Sequence, residues 1–296
     1  MHVPVMPEEV LQYLAPRRGG VYVDCTIGAG GHARRIAERL GPSGHLVGFD
    51  KDPAALTVAG QAMRGVEPRV SLVHASFGRL REELGRLEVG EVDGMLADLG
   101  VSSMQLERPE RGFSFSAAGP LDMRMDPRQE LTAEQVVNQF GERELADLIF
   151  QYGEERRSRR IARAIVRSRP LRTTAQLAAV VTAASRPMYS RAGGIHPATR
   201  TFQALRIFVN SELDDLKSWL EQLPQALAAG GRAVVITFHS LEDRPVKQAW
   251  QRDQRAGKLE ILTPHVVRPS AAEVASNPRA RSAKLRAACR RAGGPS

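Results

Sequence analysis

At 296 residues, with 42% hydrophobic and 25% charged side chains, the chain has the make-up of an ordinary folded protein and the length for two domains of ~100–200 residues each. Its formal charge is +9 and arginine far outnumbers lysine, which favours an anionic partner, phosphate above all, because a guanidinium fork matches phosphate oxygens. No run reaches the ~18 apolar residues of a membrane span, the N-terminus lacks the regions of a signal peptide, and Cys25 and Cys289 make neither a CxxC pair nor a disulfide framework; a reducing, cytoplasmic setting away from membranes is expected.

In chain order, Val10, Leu11 and Leu14 suggest a short opening helix. Val21-Tyr22-Val23-Asp24 then reads as a buried strand ending in an acid, followed by Cys25-Thr26-Ile27-Gly28-Ala29-Gly30-Gly31-His32 and a helical pattern over 33–40. Strand, glycine turn and helix bring backbone N–H groups close to a nucleotide-like ligand. His45-Leu46-Val47-Gly48-Phe49-Asp50 is a second strand, and Asp52-Pro53 an N-cap with proline at N1. Residues 69–74 form a third strand, with Ala75-Ser76-Phe77 as its exit, and 92–98 a fourth, ending in Asp98.

Strands alternating with helices predict a parallel sheet with right-handed crossovers. The next strand, 232–238, lies more than 130 residues on, whereas a βαβ unit takes only ~30. The pattern Phe202, Leu205, Phe208, Val209, Leu213, Leu216, Leu220 suits the crossover, which leaves an all-helical insertion over 103–197, mounted on a domain made of 1–102 and 198–296. Residues 259–263 and 283–288 are expected to close the sheet as an antiparallel hairpin.

Acids end strands one, two and four: Asp24, Asp50 and Asp98. Asp50 follows Gly28 by 22 residues, close to the ~20 expected of a carboxylate that bonds a ribose hydroxyl. Three carboxylates around one crevice repel a pyrophosphate and suit a ligand carrying a sulfonium, an ammonium, a ribose and an adenine amine. The glycine turn is not G-x-G-x-x-G; it is similar to the acid-then-glycine loop of S-adenosylmethionine methyltransferases, with Thr26 in the first glycine's place. Each acid taken alone is equally a cap or loop residue.

Longer motifs carry a closer resemblance. The segment from Asp24 to His32, Asp98-Leu99-Gly100-Val101-Ser102-Ser103, Arg111-Gly112-Phe113-Ser114-Phe115, Gly119-Pro120-Leu121-Asp122-Met123-Arg124-Met125, Tyr152-Gly153-Glu154-Glu155, the stretch from His196 to Ala204, His239-Ser240-Leu241-Glu242-Asp243 and Asn277-Pro278-Arg279-Ala280-Arg281-Ser282 together resemble the MraW family. The resemblance implies a Rossmann-like class I methyltransferase sheet with an inserted helical domain, and methyl transfer from S-adenosylmethionine to N4 of a cytidine in the decoding centre of 16S rRNA. It places cofactor contacts on Gly30, Gly31, His32, Asp50, Phe77, Asp98 and Gln105. The implied partner is 16S rRNA in the small ribosomal subunit; no metal, membrane or obligate protein partner is expected.

Taken as residues, Phe77 is open between an adenine-packing face and core, and His32 between a cap and a ligand contact. Asp98 is the candidate acceptor for the cytosine amine, and His239, after strand five, is open between facing the substrate and serving in the core. DNA amino-methyltransferases use an acid or amide followed by two prolines and an aromatic; Asp98-Leu99-Gly100-Val101-Ser102 has neither, so that analogy does not transfer directly. Arg156, Arg160, Arg163 and Arg167 predict a basic helix face opposite Ile161, Ala164 and Ile165, open between a solvated face and phosphate contact, with Arg157, Arg159, Arg169 and Arg172 nearby favouring contact. Arg279, Arg281, Lys284, Arg286, Arg290 and Arg291 are a second basic candidate. Phe113 and Phe115 are open between stacking a splayed base and anchoring their loop. Other readings are a methyltransferase for another RNA base or a small molecule, and a non-catalytic RNA-binding factor; labelled methyl transfer separates these.

Overall fold

The computed structural model describes residues 4–185 and 196–292. The chain forms two compact units, one from Met1–Gly100 with Leu213–Ser296, the other from Val101–Glu212.

The first unit is built as expected from alternating strands and helices: α1 (Pro7–Leu14), β1 (Val21–Asp24), α2 (Gly31–Leu40), β2 (His45–Asp50), α3 (Pro53–Ala62), β3 (Arg69–His74), α4 (Leu80–Arg86) and β4 (Val92–Asp98). Asp52 caps α3 by accepting the Ala54 N–H at 3.0 Å, with Pro53 behind it. In the second unit the chain forms α5 (Ser103–Glu107), α6 (Ala133–Gln139), α7 (Glu142–Gly153), α8 (Ser158–Arg167), α9 (Thr174–Ser185) and α10 (Thr199–Asn210). It returns to the first through α11 (Glu212–Ala226), then adds β5 (Leu227–Thr237), α12 (Ser240–Arg255), β6 (Leu259–Ile261), α13 (Ala271–Ser276) and β7 (Lys284–Arg290).

The seven strands lie in the order β3-β2-β1-β4-β5-β7-β6, parallel from β3 to β5. β7 runs antiparallel between β5 and β6, so the closing hairpin is present with its second strand on the inside. β5 begins at Leu227, earlier than expected, because Ala228-Ala229-Gly230-Gly231 has no β-branched signal and is recruited by pairing Leu227 with Val92. One face of the sheet buries Val23, Val47, Met95 and Val235 with Trp219 and Trp250; the other buries Tyr22, Leu46, Leu96 and Val234 with Ile36 and Leu40. This alternation follows from the two-residue period of strands covered on both sides.

The helical unit has its own core, including Val136, Leu145, Ile149, Ile161, Ile165, Leu177 and Leu205. It differs from the expected insertion at its far boundary. α10, expected in the crossover, packs on α7 within this unit, and α11 makes the crossover. Asn210, at the end of α10, explains the difference: its side chain donates to the Met123 and Arg206 carbonyls and accepts the Met125 N–H, bonds that apolar periodicity does not reveal.

Candidate functional site

The turn after β1 is assembled by backbone bonds to the neighbouring strands. The Cys25 N–H donates to Leu96 O at 2.8 Å and the Ile27 N–H to Phe49 O at 2.9 Å. Gly28 and Gly30 have φ of 52° and 83°, where a side chain is strained, and a Cβ on Gly30 would lie 3.1 Å from Met63 Cε. Thr26 fastens the turn to the end of β4, its Oγ1 accepting the Asp98 N–H at 2.8 Å.

Sheet order and register gather the three acids. Asp24 on β1 is level with Gly48 and Leu96, so Asp50 and Asp98 stand two residues further along the strands on either side. Adjacent strands are about 4.8 Å apart, which puts all three at the carboxyl edge of one strand triplet. Asp50 accepts the Gly28 N–H at 2.9 Å and the Asp52 N–H at 2.8 Å, yet burial pushes its carboxyl up to about 6. Asp24 is only 1% exposed, and burial raises its carboxyl to about 7 against the opposing pull of His32 and the Thr26 N–H.

His32, buried at the start of α2, places Nε2 3.7 Å from Asp98 Oδ2, too long for a hydrogen bond. Among the described residues, His32 Nε2 and Asp98 Oδ1 are buried and have no hydrogen-bond partner. Buried polar atoms of this kind need a partner, which for Asp98 Oδ1 a ligand carrying hydrogen-bond donors would supply. The glycine turn, the acids and these two atoms suit S-adenosylmethionine.

Two further residues stand at neighbouring strand exits. Phe77, half-buried, sits after β3 with its ring edge-on to Trp219, centroids 6.3 Å apart. His239 precedes α12 after β5; its Nε2 lies 3.1 Å from Glu242 Oε1, although neither ring nitrogen makes an aligned hydrogen bond. Glu242 in turn accepts the Phe238 N–H at 2.7 Å. Gln105 belongs to the helical unit, where its side chain accepts the Ser102 N–H at 3.0 Å and closes the cap of α5.

The aromatic and basic candidates divide. Phe113 is a core residue of the helical unit, and Phe115 stacks on His196 (4.6 Å) and meets Phe202 edge-on, so both anchor their loop. Arg156 precedes α8 and is not on its helical face. Arg159, Arg160, Arg163 and Arg167 are exposed, and Ser158, Ile161, Ala162 and Ile165 are buried. In the C-terminal run, Arg286 and Lys284 pair with Asp243, and Arg290 with Glu91 and the Leu227 carbonyl; Arg279, Arg281 and Arg291 are exposed. Sequence reasoning missed these acid partners because they are far away along the chain. It also missed Lys51, which pairs with Asp215 beside Asp50.

The family model described as the MraW methylase family matches residues 1–291. A protein of Koribacter versatilis named ribosomal RNA small subunit methyltransferase H is 55% identical over 297 residues, covering 98% of this chain and 94% of that protein. One of the same name from Thermotoga neapolitana is 50% identical, covering 97% and 95%. A solved rRNA methylase from Streptococcus thermophilus aligns over 97% of this chain and 94% of that one, at 10% identity and a TM-score of 0.45. The chain belongs to the MraW methylase family and is an S-adenosylmethionine-dependent methyltransferase with a Rossmann-like sheet.

Proposed function

We propose that the protein methylates N4 of a cytidine in the decoding centre of 16S rRNA, acting in the cytoplasm on RNA of the small ribosomal subunit. The observation that carries the site is the pair of unpartnered buried atoms, Asp98 Oδ1 and His32 Nε2, at a carboxylate-lined strand edge. Its relatives' shared name supports the small-subunit substrate. Among the described residues no helix is long and apolar enough to cross a membrane.

In this reading Gly30 and Gly31 let the ligand approach the backbone, Asp50 accepts from ribose hydroxyls, and Phe77 packs on adenine. His32 and Asp98 complete the holding set. S-adenosylmethionine, when bound, supplies an electrophilic methyl group on a cationic sulfur. The cytosine amine is conjugated with its ring and is a weak nucleophile, so the protein must orient it and accept its hydrogen bonds as it pyramidalises. Asp98 has a free acceptor for that purpose. His239, beyond the strand paired with β4, orients the base from the β5 exit. The exposed arginines of α8 hold phosphates.

The test is transfer of labelled methyl to small-subunit RNA, with the modified nucleoside mapped by mass. Methyl on cytidine N4 is expected; cofactor binding without transfer to RNA overturns the reading. Asp98→Ala is expected to lower kcat at least ~100-fold, the scale of a lost positioned acceptor. Near-normal turnover in that variant removes Asp98 from the chemistry.

A further inference from the structure

Asp215, Ser218, Trp219 and Gln222 fall on one face of α11, at the i, i+3, i+4 and i+7 spacing of a helix. Asp215 pairs with Lys51, the residue after Asp50. The Lys51 carbonyl also accepts from His74 Nε2 at 2.9 Å, so the exit of β2 is fixed on both sides. One turn further along α11, the Ser218 hydroxyl donates to Gly78 O at 2.7 Å and Gln222 Nε2 donates to the same carbonyl at 2.6 Å. Gln222 Oε1 accepts the Arg81 N–H at 2.9 Å. Trp219, fully buried, meets the Phe77 ring.

The exit of β3 has short-range bonds of its own, from the Ala75 N–H to Val73 O, the Gly78 N–H to Ser76 Oγ, the Arg79 N–H to Ser76 O and the Leu80 N–H to Phe77 O. Gly78 lies so close to α11 that a Cβ would be 2.7 Å from Asp215 Oδ1 and 3.1 Å from Asp215 Cα. The position of Phe77 is therefore set by the helix together with its own loop, α11 holding the Gly78 carbonyl and the Phe77 ring. One helix face thus holds the neighbours of both Asp50 and Phe77.

We infer that this face of α11 is the positioning device for the adenosine half of the cofactor site, with Asp215, Ser218 and Gln222 as positioning residues that act through Lys51 and Gly78. The inference rests on the proposed roles of Asp50 and Phe77. A binding group displaced by about 1 Å loses much of its effect, so loosening the face weakens cofactor binding without touching the transfer step. Because α11 is also where the chain returns from the helical unit, adenosine recognition is built on the last element of the split domain's crossover.

The experiment compares S218A/Q222L and D215N with D50A and F77A. Calorimetry measures S-adenosylhomocysteine binding, steady-state kinetics follows S-adenosylmethionine, and melting is recorded without ligand. For S218A/Q222L, Kd and KM are expected to rise about tenfold, the scale of losing both hydrogen bonds to the Gly78 carbonyl, while kcat at saturating cofactor stays within about twofold of the parent. D215N is expected to shift Kd in the same direction. If D50A and F77A bind as the parent does, the roles given to Asp50 and Phe77 fail. If those two weaken binding while the α11 variants keep parental Kd and KM, the inference is overturned, and a lowered melting temperature alone also overturns it. Should the double variant fail to fold, Q222L alone is read in the same way.

Discussion

Asp24 shows how one buried acid ties stability to pH. Its carboxyl, raised to about 7 by burial, holds a proton in the folded chain that it releases near 4 when unfolded. The folded state therefore binds more protons across that window, and stability falls as pH rises through it; Asp50, raised to about 6, adds in the same direction. At about 1.4 kcal/mol per unit, Asp24→Asn is expected to stabilise the ligand-free protein at pH 8 by a few kcal/mol, with no gain near pH 4. Urea unfolding at the two pH values measures this, and an equal effect at both removes the burial argument. The positions of these acids were legible in the sequence, since each ends an apolar run. Thr26 was legible only as an exception to the glycine pattern; its bond to the Asp98 N–H needed β1 and β4 to be neighbours.

Among the elements, α10 was the least legible. Its apolar spacing fits a crossover helix and a bundle helix equally well, because periodicity reports a buried face and not the surface that covers it. Asn210 decides the matter through two buried hydrogen bonds, to the Met123 carbonyl and from the Met125 N–H. Asn210→Ala leaves the Met123 carbonyl and the Met125 N–H unsatisfied and is expected to cost about 2–3 kcal/mol, read by chemical denaturation. A loss below about 0.5 kcal/mol counts against Asn210 as the pin. The aromatic pair followed the same logic: Phe113-Ser114-Phe115 looks the same in sequence whether it stacks a base or anchors a loop, and in the fold Phe113 lies in the core of the helical unit while Phe115 packs on His196 and Phe202.

For the whole molecule, the charge of +9 is unevenly committed. Much of the C-terminal arginine run is paired within the fold, whereas on α8 Arg163 pairs with Glu142 and Arg159, Arg160 and Arg167 are exposed. Replacing Arg159, Arg160 and Arg167 with Gln is expected to weaken binding to small-subunit RNA and to flatten the plot of log K against log salt by about 2, at ~0.7 per phosphate on single strands. A filter-binding titration across salt concentrations checks it, and an unchanged slope takes α8 off the RNA. These side chains are exposed, so the fold is expected to survive.

By itself, the sequence determined the alternating strands and helices, the acids at three strand ends, the glycine turn and the presence of a helical insertion. Each of these is local: a period, a cap or a turn needs only neighbouring residues. Tertiary structure alone decided the far boundary of the insertion, which arginines are already paired, the orphaned atoms of His32 and Asp98, and the α11 face behind Phe77. Those depend on partners dozens to more than a hundred residues away, which no local pattern encodes.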